Sequence, residues 1–164
     1  MGNVGFTTGT GYTYEDGTTT KIGAEGEYTV GSNPSTVSIY PDWLMMNPPS
    51  GPANMLIVNA SPIANTSMWT ETIQVQPETM YTLSFWIACV EADCVSLPTL
   101  QASVNSALVG SLLTATAPGG IWAKYTTMWS SGTNTMATIE IVDTNLVAAT
   151  NDVVIADMFF GVCN

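Results

Sequence analysis

Histidine and arginine are absent from this chain, and lysine occurs only at Lys21 and Lys124, against thirteen Asp and Glu residues. Without histidine there is no Ser-His-Asp or Cys-His nucleophile system and no His-ligated zinc. A formal net charge of −11 repels nucleic acid and anionic lipid, so neither is expected as a partner. The same shortage leaves the carboxylates without protein cations. Backbone donors, water or a bound metal ion must satisfy them, because a buried unpaired charge is costly or takes up a proton.

Long apolar runs are missing too. Residues 55–58 form one of the longest, far short of the roughly 20 needed to span a bilayer, so no membrane insertion is expected. No basic n-region with an apolar stretch behind it opens the chain, and no signal peptide is read there. Met1-Gly2 reads as the start of a domain taken from a longer protein. Gly9-Thr10-Gly11 lacks the third glycine and the strand–helix setting of a phosphate loop. Cysteine is scarce, at 89, 94 and 163. Cys89 and Cys94 would close a short disulfide loop if the two ends lie side by side; reduced, partly buried thiols are the alternative.

What is present suits one domain over residues 1–164 with a real core: 46% hydrophobic residues, five Trp and six Tyr. Richness in Thr, Ser, Asn and Gly with little charge leans toward a secreted protein. No helical period exceeds two turns. From Trp69 onward, alternating segments are separated by turn clusters about every ten residues, the pattern of an all-β, mostly antiparallel sandwich or barrel. Strands are expected at 68–75, 80–88, 100–104, 108–113, 121–129, 136–143 and 151–160, with Asn105-Ser106 as a tight turn. In the second of these, Tyr81, Leu83, Phe85 and Ile87 face one way and Thr82, Ser84, Trp86 and Ala88 the other. The first fifty residues read as long irregular loop laid across the sandwich, with short strands at 4–6 and 27–30. Residues 55–58 read as a buried strand.

The segment Asn151-Asp152-Val153-Val154-Ile155-Ala156-Asp157-Met158-Phe159-Phe160 is apolar on both faces yet carries an aspartate in its middle. Taken in order with Asn3-Val4-Gly5-Phe6, Gly26-Glu27-Tyr28-Thr29-Val30-Gly31, Met55-Leu56-Ile57-Val58-Asn59, Tyr81-Thr82-Leu83-Ser84-Phe85-Trp86 and Ile141-Val142-Asp143-Thr144-Asn145, it resembles a known family. That family comprises the galactose-binding-like jelly-roll modules, of carbohydrate-binding type, in large secreted and cell-surface bacterial proteins, especially of Bacteroidetes. The resemblance implies a jelly-roll β-sandwich with no catalytic role. It also implies a structural calcium between the N-terminal loop and the last strand. Asp157 matches the metal-ligating position there, although Ala156 replaces the aspartate that usually precedes it; Glu25 and Glu27 are the nearest loop acids.

Sugar binding in such a fold uses aromatic rings on a sheet face or in end loops. Rings stack on the apolar face of a pyranose while polar groups bond its hydroxyls. Trp86 is the leading face candidate, and Trp43, Tyr40, Tyr12 and Tyr14 are loop candidates. Trp122 and Trp129 alternate onto opposite faces of one strand; Trp69 belongs to the core. The expected function is a calcium-stabilised carbohydrate-binding or adhesion module at the cell surface or outside the cell, its partner a glycan or a neighbouring protein module. A purely structural repeat or filament subunit is the alternative, and a small glycan-active enzyme the third reading.

Overall fold

The structure, a computed structural model, describes residues 11–162. The strand expected at 4–6 and Cys163 lie outside the described residues. Ten strands and one helical turn follow in order: β1 (Thr13–Tyr14), β2 (Glu27–Gly31), α1 (Pro34–Val37), β3 (Met55–Asn59), β4 (Ser67–Gln74), β5 (Met80–Cys89), β6 (Thr99–Val104), β7 (Ala107–Thr114), β8 (Ala123–Ser130), β9 (Met136–Asp143) and β10 (Val153–Gly161). They form two sheets, ordered β1-β2-β3-β10-β5-β8 and β4-β9-β6-β7. The β1–β2 pair is parallel; the other pairs are antiparallel. The fold is a β-sandwich of jelly-roll type.

Period-two alternation builds it. Tyr81, Leu83, Phe85 and Ile87 of β5 turn inward against Ala137, Ile139 and Ile141 of β9 and Leu100, Ala102 and Val104 of β6. Aromatic pairs reinforce this core: Phe85 stacks on Tyr125 at 4.7 Å, and Tyr81 on Phe160 at 5.1 Å. Trp69 is buried among them. At the β6–β7 hairpin, Asn105 and Ser106 both adopt left-handed backbone (φ 51° and 64°), the geometry of a two-residue type I′ turn. The Asn105 side chain pins the turn to β9: its Oδ1 accepts from Thr138 N at 2.8 Å, and its Nδ2 donates to Met136 O at 3.2 Å.

The N-terminal region is more than a loop. Ile22, Val37, Trp43 and Met46 form a second core on the outer face of the six-stranded sheet, against Met55, Ile57, Ala88, Val90, Val154 and Ala156. Asn33 caps α1, its side-chain oxygen accepting from Ser35 N, and Pro34 opens the turn. This second core explains why β10 is apolar on both faces. Val153 and Ile155 meet the main core, while Val154 and Ala156 meet the second. Cys89 and Cys94 are joined in a disulfide, with Cα atoms 6.3 Å apart.

Candidate functional site

The second core covers only part of the outer face. Beyond it, β5 presents Thr82, Ser84 and Trp86, and register sets these beside Met128, Thr126 and Lys124 of β8. On the other side Ser84 lies beside Phe159 and Thr82 beside Gly161 of β10. Phe159 is 38% exposed, and Met128, Thr126 and Lys124 are exposed. A Cβ at Gly161 would come within 2.9 Å of Phe159 Cζ, so the glycine lets the ring lie flat on the sheet. Lys124 Nζ sits 5.5 Å from the centre of the Trp86 ring, a cation–π contact.

One end of this face has a wall. Trp122 Nε1 donates to Asn47 O at 3.0 Å. Ser50 donates twice to Asp157, from N to Oδ2 at 3.0 Å and from Oγ to Oδ1 at 2.5 Å. Rings flanked by rows of hydroxyls, open to solvent and bounded by a wall, form a surface suited to a sugar's apolar and hydroxylated faces.

The acids expected to bind metal do not converge. Asp157 falls at a bulge, where the β10 register shifts between Ala156 and Phe159, and its backbone is left-handed (φ 50°). That turn aims the carboxylate at Ser50, which occupies both oxygens. Glu27 Oε2 accepts from Gly23 N at 2.7 Å and Ala24 N at 2.8 Å. Glu27 pairs with Asn59, level with the start of β10; Asp157 lies about five residues further along, roughly 16 Å at strand spacing. Glu25 is exposed on the loop before Glu27. These residues do not fit a calcium ion held between Asp157, Glu25 and Glu27.

The aromatic candidates also divide. Trp86 and Trp122 border the open face. Trp43 is 2% exposed, leaving no ring face for a ligand, because the N-terminal segment folds it into the second core; Tyr40 stacks on it at 5.8 Å. Tyr12 is buried in the main core, its hydroxyl accepting from Ser61 N at 2.9 Å. Burial pushes that hydroxyl's pKa up to about 12. Tyr14 is exposed at the far edge of the sheet, set edge-on against Tyr28, four strand spacings or roughly 19 Å from Trp86. Phe159 escaped the sequence reading. Its signal was available: of two adjacent phenylalanines in one strand, only one can face the core.

Several carboxylates are satisfied by backbone donors. Asp16 Oδ1 accepts from Thr18 N, Thr19 N and Thr20 N at 2.7–3.0 Å, which holds its pKa well below the usual range. Asp143 accepts from Thr99 N, Asn145 N and Asn151 Nδ2. Burial outweighs those donors and pushes its pKa up to about 6.

No family model matches the sequence, and no curated protein matches it. Among solved structures, the chain is similar to the CBM22-1 xylan-binding domain of Xyn10C from Paenibacillus barcinonensis. The TM-score is 0.53 at 12% identity, over 90% of this chain and 88% of that one. The C-terminal domain of EclA, a sugar-binding protein, gives 0.52 at 15% identity, over 57% of this chain and 66% of that one. The Stig cyclase Fisc from Fischerella sp. TAU, in complex with a pyrrolidinylidene-indole, gives 0.55 at 13% identity, over 81% and 72%. At such identities the likeness is one of fold: a sandwich shared by carbohydrate-binding modules and by a cyclase.

Proposed function

We propose that this chain is a non-catalytic carbohydrate-binding module of an extracellular or cell-surface protein, taking a glycan on the open face of its six-stranded sheet. The carrying observation is that face itself: Trp86 and Phe159 beside Ser84, Thr82 and Thr126, left uncovered by the second core. Fold kinship with xylan- and sugar-binding modules supports it. A glycosidase reading has less support. Glu91 and Asp152 lie within hydrogen-bonding reach of each other, without the gap of about 5–9 Å that glycoside hydrolysis requires. A structural subunit remains the second reading, favoured by exposed Leu108 and Leu112 on the sheet-edge strand β7.

The test is a glycan array probed with the intact chain and with Trp86→Ala and Phe159→Ala. Signal from the intact chain, reduced about five- to tenfold in both variants with folding retained, is the expected result; one ring–sugar stack lost is worth about 1–1.4 kcal/mol. An intact chain silent across neutral glycans, yet self-associating in sedimentation, would transfer the assignment to the structural reading.

A further inference from the structure

Glu91 and Asp152 meet where three parts of the chain come together. Val90 N donates to Asp152 O at 3.2 Å, continuing the β5–β10 pairing past Cys89. The carboxyl of the next residue, Glu91, bonds the carboxyl of Asp152. Both side chains are buried, Glu91 at 8% exposure and Asp152 at 6%. Residues 42–44 of the N-terminal segment pair with the Glu91 loop as a strap. Trp43 bridges to Glu91, Leu44 N donates to Val90 O at 2.7 Å, and Ala92 N donates to Asp42 O at 3.3 Å. The loop itself is fixed from elsewhere. The Cys89–Cys94 disulfide closes it, Gly120 N donates to Cys89 O at 2.9 Å, and a Cβ at Gly119 would fall 1.6 Å from Glu91 O.

Two buried carboxylates in contact cannot both stay charged, because like-charge repulsion adds to the cost of desolvation. A proton between them turns that repulsion into a hydrogen bond. Ala60 N donates to Asp152 Oδ1 at 3.0 Å, while among the described residues no N–H or hydroxyl donor reaches Glu91 Oε2. The neighbouring charges have the same sign: Asp42 of the strap acts on Glu91, and Glu25 of the loop before β2 acts on both. Two phenols also face Asp152. Tyr12 has Asp143 beyond it, and Tyr40 has Glu25 and Glu27; burial raises the pKa of each phenol. Burial, reinforced by Asp42, pushes Glu91 up to about 7. Burial, reinforced by Glu91 and Glu25, pushes Asp152 up to about 8.

We propose that Glu91 and Asp152 hold a proton between them, and that this proton is a latch fastening the Trp43 strap to the six-stranded sheet. Once it is lost, the two carboxylates must separate or draw in water. Asp152 is tied to Val90 and Ala60, and the disulfide and the glycine turn fix the Glu91 loop, so the strap is the part that yields. The sign follows from the raised pKa values. The latch is complete below the ordinary carboxyl range of about pH 4 and is lost as the pH rises through about 7–8. The strap runs on to Asn47, whose O accepts from Trp122 Nε1, so its opening reaches the wall of the open face. The latch itself does not depend on the glycan reading.

The test is hydrogen exchange in the intact, oxidised chain, followed by NMR from about pH 5.5 to 8.5 and corrected for the intrinsic exchange rate. Leu44 N, Ala92 N and Trp122 Nε1 are the reporters. Their protection should fall about tenfold per pH unit for each proton released, levelling off above about pH 8. Glu91→Gln and Asp152→Asn each put an amide N–H where the proton sits, so both should remove the slope. Asp42→Asn, on the exposed part of the strap, takes away a neighbouring charge and should move the levelling-off to lower pH. Should neither buried variant fold, the carboxyl carbon resonances of Glu91 and Asp152 in the unmutated chain decide, and both should titrate above about pH 6. Protection flat with pH, an equal slope in Glu91→Gln, or both carboxyls titrating at about pH 4 would each overturn the proposal.

Discussion

Asp143 shows how a carboxylate behaves in a molecule with almost no cations. Three donors hold it, yet burial raises its pKa to about 6. The unfolded chain releases that proton near pH 4. Between those values the folded chain keeps a proton that the unfolded chain has lost. The stability contributed by Asp143 is therefore full below about pH 4 and lost as the pH rises through 6. In urea unfolding of the protein, Asp143→Asn should shrink the decline in stability between pH 4.5 and 7.5 by about 2 kcal/mol; an unchanged pH profile would contradict the assignment. The sequence reading fixed on Asp157 and passed over Asp152, five residues earlier. Asp157 interrupts an apolar run and draws the eye, but a bulge and Ser50 resolve its charge locally. Asp152 becomes demanding only because the second core buries it, and no spacing within β10 announces that.

At the scale of single elements, alternation made β4, β5 and β9 legible within a residue or two, because each has one face on the main core, while β10 was legible as an apolar run. The Asn105-Ser106 turn was legible for a different reason: asparagine tolerates left-handed backbone. Serine tolerates it less well, and Ser106 sits at φ 64°. Ser106→Gly should stabilise the chain by about 0.5–1 kcal/mol, read as a higher urea midpoint with unchanged slope. A drop in the midpoint would mean that the Ser106 side chain has a role the turn geometry does not supply. What alternation could not reveal was the second core. Its contacts join Trp43 and Met46 to Val90, Val154 and Ala156, across most of the chain, and nothing in a Thr- and Gly-rich stretch marks which of its few apolar residues will be covered.

For the molecule as a whole, composition argued against a nucleic-acid partner and left no histidine for His-based chemistry, and the strand order resembled the jelly roll. It could not say which aromatics would stay in solvent, since that depends on where the N-terminal segment stops crossing the sheet. The segment stops short of Trp86, and there Lys124 leans over the indole. In a molecule of net charge −11, that ammonium is a resident competitor for the ring. On the proposed reading, a sugar stacking on Trp86 must first displace it, so binding there would be in part an exchange of one occupant for another. Lys124→Met should remove the incumbent and tighten binding of a neutral glycan about two- to fivefold, the worth of an exposed cation–π contact. The wild-type chain should gain affinity as salt is raised, and the variant should not. Calorimetry at two ionic strengths checks both, and a variant that binds more weakly would make Lys124 a partner of the ligand instead of its rival.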